Sequence, residues 1–326
     1  MSKLIYVTAQ PDVQYFHWQC EVYSHNFVEK GVNPSDIHMI FGMVNTNKPS
    51  KRAMELRKEG FNVHFYEDKR DTKNYIPSIK PYLISQWLKS FPKYGECFFL
   101  HDADIIFREK PNYEKYLKDN VCYLADTKSY LSYDYLKYCD DLYSKNYGLK
   151  SNEFINGMID IFGIGLDCVI KNNDNTGGGQ YIIKKTNYKN WFKIYNDSNS
   201  LYNYLVEFTN THPVSKGIQV WTAEMWALIW NLWCLKKETK IIEDLDFSWA
   251  TDDIDIYYKK PILHMAGVLE IEKNNKFFKG EFIECDPIQK LRENENFFEY
   301  VDKRSSTIKY TEVLKSLFQK QNSDYL

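Results

Sequence analysis

The chain has 326 residues, of which 44% are hydrophobic and 26% charged, and its formal net charge is −2. That length and apolar content can bury a large core without disulfide staples, and lysines interleaved with Asp and Glu leave no global field for nucleic acid, which disfavours a DNA- or RNA-binding main function. The 17% aromatic content, with 26 Tyr and 8 Trp, suits sugar stacking, although most of these rings must be core.

A β-rich run at residues 4–8 opens the chain and leads through a loop into a helix that stops near Gly31. A strand at 37–41, a helix at 51–59 and a strand at 61–66 follow. Strands connected in this way lie parallel and carry ligands beyond their C-terminal ends. Residues 76–91 read as a helix started near Pro81, and it delivers the chain to the apolar strand 97–100. Beyond it the pattern predicts a strand at 121–125, a helix at 133–143, a strand at 180–184 and a helix at 187–195. The polar patch KNNDNT before GGG, 171–179, reads as a flexible surface or active-site loop. Residues 221–235 are apolar nearly all round and predict a helix buried on every side. Strands at 241–242 and 261–266 and a charged, partly helical tail from Lys290 complete the chain. The expected organisation is one α/β domain over 1–289 and a C-terminal extension over 290–326.

The seven cysteines are odd in number and widely spaced, as reduced, buried thiols would be. No stretch reaches the roughly 18 apolar residues of a membrane span, and the N-terminal apolar run is too short for a signal peptide. A cytoplasmic location is therefore the default expectation.

The junction FFLHDADIIF is the most informative point in the sequence. Asp102 and Asp104 alternate to the same side of an extended chain and repel each other unless something positive joins them. Mg²⁺ or Mn²⁺ resolves the repulsion, because both ions favour carboxylate oxygens together with substrate phosphates; an acidic strand-end turn is the plain alternative. His264, in the apolar run PILHMA before Gly267, is either a packed strand histidine or a third ligand, and imidazole suits Mn²⁺ better than Mg²⁺. Glu224 sits inside the apolar helix, where a carboxylate must be paired or functional because burying it bare costs several kcal/mol. Its functional role would be an acid, base or hydroxyl-orienting group in an acceptor site. Gly178, Gly179 and Gln180 offer bare backbone and an amide to a polar ligand, while Lys80, Lys276 and Lys279 are candidate positive groups for a diphosphate or ordinary solvated lysines. No stretch fits the glycine patterns of dinucleotide or P-loop sites, which argues against those classes.

These segments together resemble the GT-A class of nucleotide-sugar glycosyltransferases, and within it the peptidyl-serine galactosyltransferase and hydroxyproline arabinosyltransferase group. The resemblance runs through YFHWQCEVYSHNFVEKG (15–31), NYIPSIKPYLISQWL (74–88), FFLHDADIIFREKP (98–111), GGGQYIIK (177–184), WTAEMWAL (221–228) and LHMAG (263–267). It implies a Rossmann-like, mostly parallel sheet flanked by helices, with a helical C-terminal extension. It also implies metal-dependent transfer of a sugar from a nucleoside diphosphate sugar, UDP-linked, onto a hydroxyl of a glycan, peptide or small molecule, and it favours retention at the anomeric carbon. Residue by residue, it implies Asp102 near the donor ribose and the metal, Asp104 and His264 on the metal, and Thr8 in the first loop against the nucleotide. The stretch after His264 departs from the G-x-x-K-P-W pattern. Two rival readings are a sugar nucleotidyltransferase, which should carry an early glycine-rich loop where VTAQPDVQYF has no glycine, and a non-catalytic carbohydrate-binding protein.

Overall fold

The computed structural model describes residues 3–44 and 48–323. Among the described residues ten strands are formed: β1 (Tyr6–Pro11), β2 (Ile37–Met43), β3 (Asn62–Glu67), β4 (Cys97–Leu100), β5 (Ile105–Phe107), β6 (Cys122–Asp126), β7 (Gly177–Lys184), β8 (Thr239–Ile241), β9 (Phe247–Trp249) and β10 (Ile262–His264). Seven of them make the central sheet, which is flanked by helices, and the chain divides into two compact units.

One unit is built from Ile5–Glu67, His101–Tyr113 and the chain from Asp244 onward. Here β1, β2 and β3 lie parallel, with Tyr6 opposite Ile37 and His38 opposite Asn62, joined by the helices Gln14–Glu29 and Lys51–Lys58. This is the strand–helix–strand opening that the sequence predicts. The second helix starts where it does because the Ser50 hydroxyl caps the Ala53 N–H. The first ends at Gly31, whose φ of 85° is left-handed backbone that glycine adopts without strain.

The tail beyond Lys290 contributes the helix Thr307–Ser323, which buries Tyr310, Leu314, Leu317 and Phe318 in a cluster with Trp18 and Val22 of the first helix. Trp18 is fully buried and donates its indole N–H to the Phe282 carbonyl at 3.0 Å. Truncating such a ring typically costs about 3–5 kcal/mol. Phe277 and Phe282 belong to the same cluster, so the tail fixes the segment between them.

The other unit is built from Asp68–Leu100 and Glu114–Glu243, with sheet order β4–β7–β6–β8. β7 runs antiparallel to both β4 and β6, and β6 runs parallel to β8. β7 begins at Gly177, three residues earlier than the pattern implies, so the glycines lie in a buried strand. A Cβ at Gly177 would sit 2.0 Å from the Ala125 carbonyl oxygen, and one at Gly178 would sit 2.3 Å from the Met225 methyl. Close approach to β6 and to the helix Ala223–Cys234 therefore explains both residues. The preceding polar patch makes a short helical turn, Asn173–Asn175. The helix expected at 187–195 extends over Tyr188–Thr211, started by a capping box between Asn187 and Asn190.

Candidate active site

β4 ends in the acidic junction, and β5 carries the chain onward antiparallel to β10 in a small sheet ordered β5–β10–β9. Its register puts His264 opposite Ile105, and Met265 N–H donates to the Asp104 carbonyl at 2.9 Å. Adjacent rungs of that ladder bring together residues 160 positions apart. His264 Nε2 lies 3.3 Å from Asp104 Oδ1 and 3.7 Å from Asp102 Oδ2. One ligand atom from each of Asp102, Asp104 and His264 lies within 4.8 Å of the others. Trp249 lies nearly parallel to the imidazole at 5.6 Å, and Phe247 approaches it at 5.3 Å. His264 Nδ1 is buried without a hydrogen-bond partner, so packing between rings rather than a second hydrogen bond sets the orientation of the imidazole.

Lys279 donates from its ammonium to Asp104 Oδ2. Burial alone would push the Asp104 carboxyl up, but the Lys279 and His264 charges outweigh it and hold the carboxyl well below the ordinary range. Tyr15 stands against the same pair; burial raises its phenol, the Lys279 charge opposes that shift, and the Asp104 charge adds to it. Asp104 is buried, whereas the Asp102 side chain is about one-third exposed (32%). This donor set, two carboxylates and one imidazole, suits a hard or borderline divalent ion, and a lysine already seated on one carboxylate shows that the site calls for positive charge. Lys276 instead pairs with Glu272 at 2.7 Å.

Thr8 lies inside β1 rather than in a loop, because that strand continues to Pro11. Its side chain is fully buried and its hydroxyl meets that of Tyr23 at 3.1 Å. At the end of β1 lies a group that pattern reading misses. His17 Nε2 is 2.6 Å from Asp12 Oδ1 and 3.1 Å from Ser50 Oγ, and Ser50 Oγ–H donates to Asp12 at 2.6 Å. Serine and carboxylate share one imidazole nitrogen, so no proton relay runs through the ring from one to the other. The cluster ties the start of the helix Lys51–Lys58 to the end of β1.

In the other unit, Lys80 Nζ lies 3.6 Å from Glu224 Oε2, and Glu224 is only 3% exposed. Glu224 is thus a paired carboxylate, one of the two conditions its apolar helix requires. Its backbone N–H donates to the Tyr75 hydroxyl at 2.8 Å, which in turn donates to the Trp221 carbonyl at 2.6 Å. Tyr75 is itself held: Arg70 donates to its carbonyl, grips Asp68 with Nε and Nη2 at 2.9 and 3.1 Å, and reaches Ser78 Oγ at 2.9 Å. This buried knot positions the turn from which Lys80 enters the helix Ile79–Ser90. Gln180, fully buried in β7, has neither amide atom hydrogen-bonded, and Gly179 next to it has a φ of 83°. Gly178 packs against Met225, beside Glu224 in sequence.

No protein-family model matches the sequence, and no curated protein does either. Among solved structures, the chain is similar to the apo form of WbbM, a bifunctional glycosyltransferase, at 9% identity over 96% of this chain and 52% of that one, with a TM-score of 0.48. It is similar to the glycosyltransferase GlyE of Streptococcus pneumoniae at 13% identity, covering 98% and 64% of the two chains, with a TM-score of 0.39. Mouse xyloside xylosyltransferase 1 aligns at 8% identity over 81% of this chain and 98% of that one, with a TM-score of 0.38. The chain spans about half the length of WbbM and just under two-thirds that of GlyE. No helix among the described residues is long and apolar enough to cross a membrane.

Proposed function

We propose that the chain is a GT-A glycosyltransferase that moves a sugar from a nucleoside diphosphate sugar, UDP-linked, to a hydroxyl acceptor with the help of Mn²⁺ or Mg²⁺. The observation that carries this reading is the convergence of Asp102, Asp104 and His264, held together by the β5–β10 ladder. Asp102, Asp104 and His264 would hold a divalent ion and leave it open to phosphate oxygens. A divalent ion there would offset the charge that develops on a departing diphosphate. Lys279 supplies a second positive charge beside the same carboxylates, available to a phosphate once it leaves Asp104. Glu224 is assigned to the acceptor hydroxyl, to orient it or take its proton, with Lys80 paired to its carboxylate. Gly178, Gly179 and Gln180 are assigned to the donor, the unsatisfied Gln180 amide being the group best suited to sugar hydroxyls.

The test is a panel of nucleotide sugars with Mn²⁺, read as slow donor hydrolysis in the absence of acceptor. Turnover of a UDP-linked member is the expected result. If no member is hydrolysed or bound, the reading fails, while pyrophosphate release from a sugar 1-phosphate and a nucleoside triphosphate would move the chain to the nucleotidyltransferases.

A further inference from the structure

A groove of about 750 Å³ opens in the unit that carries Glu224, within the roughly 300–1,000 Å³ range of small-molecule sites. One wall comes from the segment after β6 and the start of the helix Tyr133–Tyr147, a second from the turn before β7, and a third from the loop 216–219 that leads to Trp221 and Glu224. Its polar lining is balanced, with Lys128 and Lys216 matched by Asp134 and Asp174, and it includes amides and exposed tyrosine surface.

The walls are built rather than incidental. The Tyr135 hydroxyl donates to the Gly217 carbonyl at 3.2 Å and accepts from Gln219 N–H at 3.1 Å, while the Tyr143 hydroxyl accepts from Ile218 N–H at 3.2 Å. These bonds pin a loop in which Lys216, not a glycine, has a φ of 62°, and such backbone persists only where its surroundings over-determine it. A Cβ at Gly217 would lie 2.5 Å from the Tyr143 hydroxyl, so the loop sits tightly on its support. Across the groove, Asn173 and Asp134 are cross-linked by two hydrogen bonds of 3.0 and 2.8 Å.

Two large rings are exposed here, Tyr138 in the groove's lining and Trp221 outside it, beyond the loop that forms the third wall. Trp221, two residues beyond Gln219 and three before Glu224, is 55% exposed, and Tyr138 is 51% exposed. Trp221 lies 6.0 Å from Tyr130, which follows the groove residues Lys128 and Ser129. Exposed rings near carboxylates and amides match a pyranose, whose C–H face stacks on an aromatic ring while its hydroxyls take both donors and acceptors. Matched charges exclude a strongly anionic or cationic ligand.

We infer that this groove, with Tyr138 in its lining and Trp221 next along the chain from its third wall as stacking surfaces, binds a neutral pyranose glycan as the acceptor. The inference rests on the transferase reading for the word acceptor, but the binding itself is independent of it. The test is ligand-observed NMR on the full chain with the methyl α- and β-glycosides of glucose, galactose, mannose and xylose, alongside glucuronic acid and glucosamine. At least one neutral glycoside should receive saturation from the protein, and Trp221→Ala and Tyr138→Ala should each weaken its affinity about fivefold to tenfold. Circular dichroism is the check that the variants fold, and because both rings are already exposed, their removal should leave the fold intact. Absence of saturation transfer to every neutral sugar, preference for a charged one, or affinity unchanged in both variants would overturn the inference. A wild type that binds Mn²⁺ and UDP but no glycoside defeats the groove alone, whereas one that binds a glycoside but no nucleotide defeats the transferase reading alone.

Discussion

Replacing Lys279 by Met should make the nucleotide-free protein bind Mn²⁺ more tightly. Lys279 is bonded to Asp104 Oδ2, so an incoming ion must break that bond before it gains full use of the carboxylate. A hydrogen bond to a charged group contributes about 1.5–3 kcal/mol, and the 27% exposure of the Lys279 side chain favours the lower end. About 1.5 kcal/mol corresponds to a roughly tenfold gain in metal affinity. The same substitution removes a cation from the phosphate side, so UDP binding in the presence of Mn²⁺ should weaken. Calorimetric titration of Mn²⁺ alone, then of UDP with Mn²⁺, reads both effects, and Lys279→Arg serves as a charge-preserving control that should stay near wild type. Lys279→Met with unchanged or weaker Mn²⁺ affinity would refute the idea that the lysine and the ion compete for one carboxylate.

Asp104→Asn should abolish nearly all metal-stimulated donor hydrolysis, and His264→Ala should weaken both Mn²⁺ and UDP binding while circular dichroism stays near wild type; if neither changes the gain in UDP affinity that Mn²⁺ brings, the ligand assignment is wrong. Glu224→Gln should preserve nucleotide binding and lower transfer by about 10²-fold, the scale of a positioned proton-transfer group, and normal transfer would place Glu224 in the scaffold alone. Burial opposes ionisation of Asp68, but Arg70 outweighs it and depresses the folded-state pKa. The stability this supplies is complete above the ordinary carboxylate value, about 3.9, and is lost as pH falls through the lower folded value. Asp68→Asn should therefore cost about 3–5 kcal/mol at neutral pH by leaving the buried Arg70 charge without its carboxylate, and it should flatten the acid limb of a plot of Tm against pH; an acid limb as steep as that of the wild type would remove Asp68 from the account.

What could be read in advance followed the physics of local pattern. β4 matches the apolar run 97–100 because every residue there is apolar and the acidic pair ends it, and the opening alternation of strand and helix is equally legible. β5 and β9, three residues each, are too short to carry a period, although the small sheet they make with β10 places His264 beside Asp104. The glycines of β7 read as a loop since glycine punctuates most chains, and only the nearness of Ala125 and Met225 accounts for them inside a strand. Metal-ligand candidates were visible as residue types with unusual settings, whereas the Asp12–His17–Ser50 cluster and the Arg70 knot join ordinary polar residues by tertiary geometry. Lys279 was visible only as one lysine among several. Its place against Asp104 depends on Phe277 and Phe282, which the C-terminal helix holds.

The ladder between β5 and β10 has a consequence for how this chain can change in length. Spacing between Asp104 and His264 is set by a rung, so the many residues that separate them in sequence carry no information about it. Loops far from those two strands can lengthen or shorten without retuning the ligand set. By contrast, a single-residue deletion within β10 would turn His264 to the opposite face of the sheet. Tolerance and fragility are therefore distributed unevenly, and an insertion scan of the gene should find 104–107 and 262–265 intolerant, like the strands and buried helices of the core, and the surface loops between them permissive.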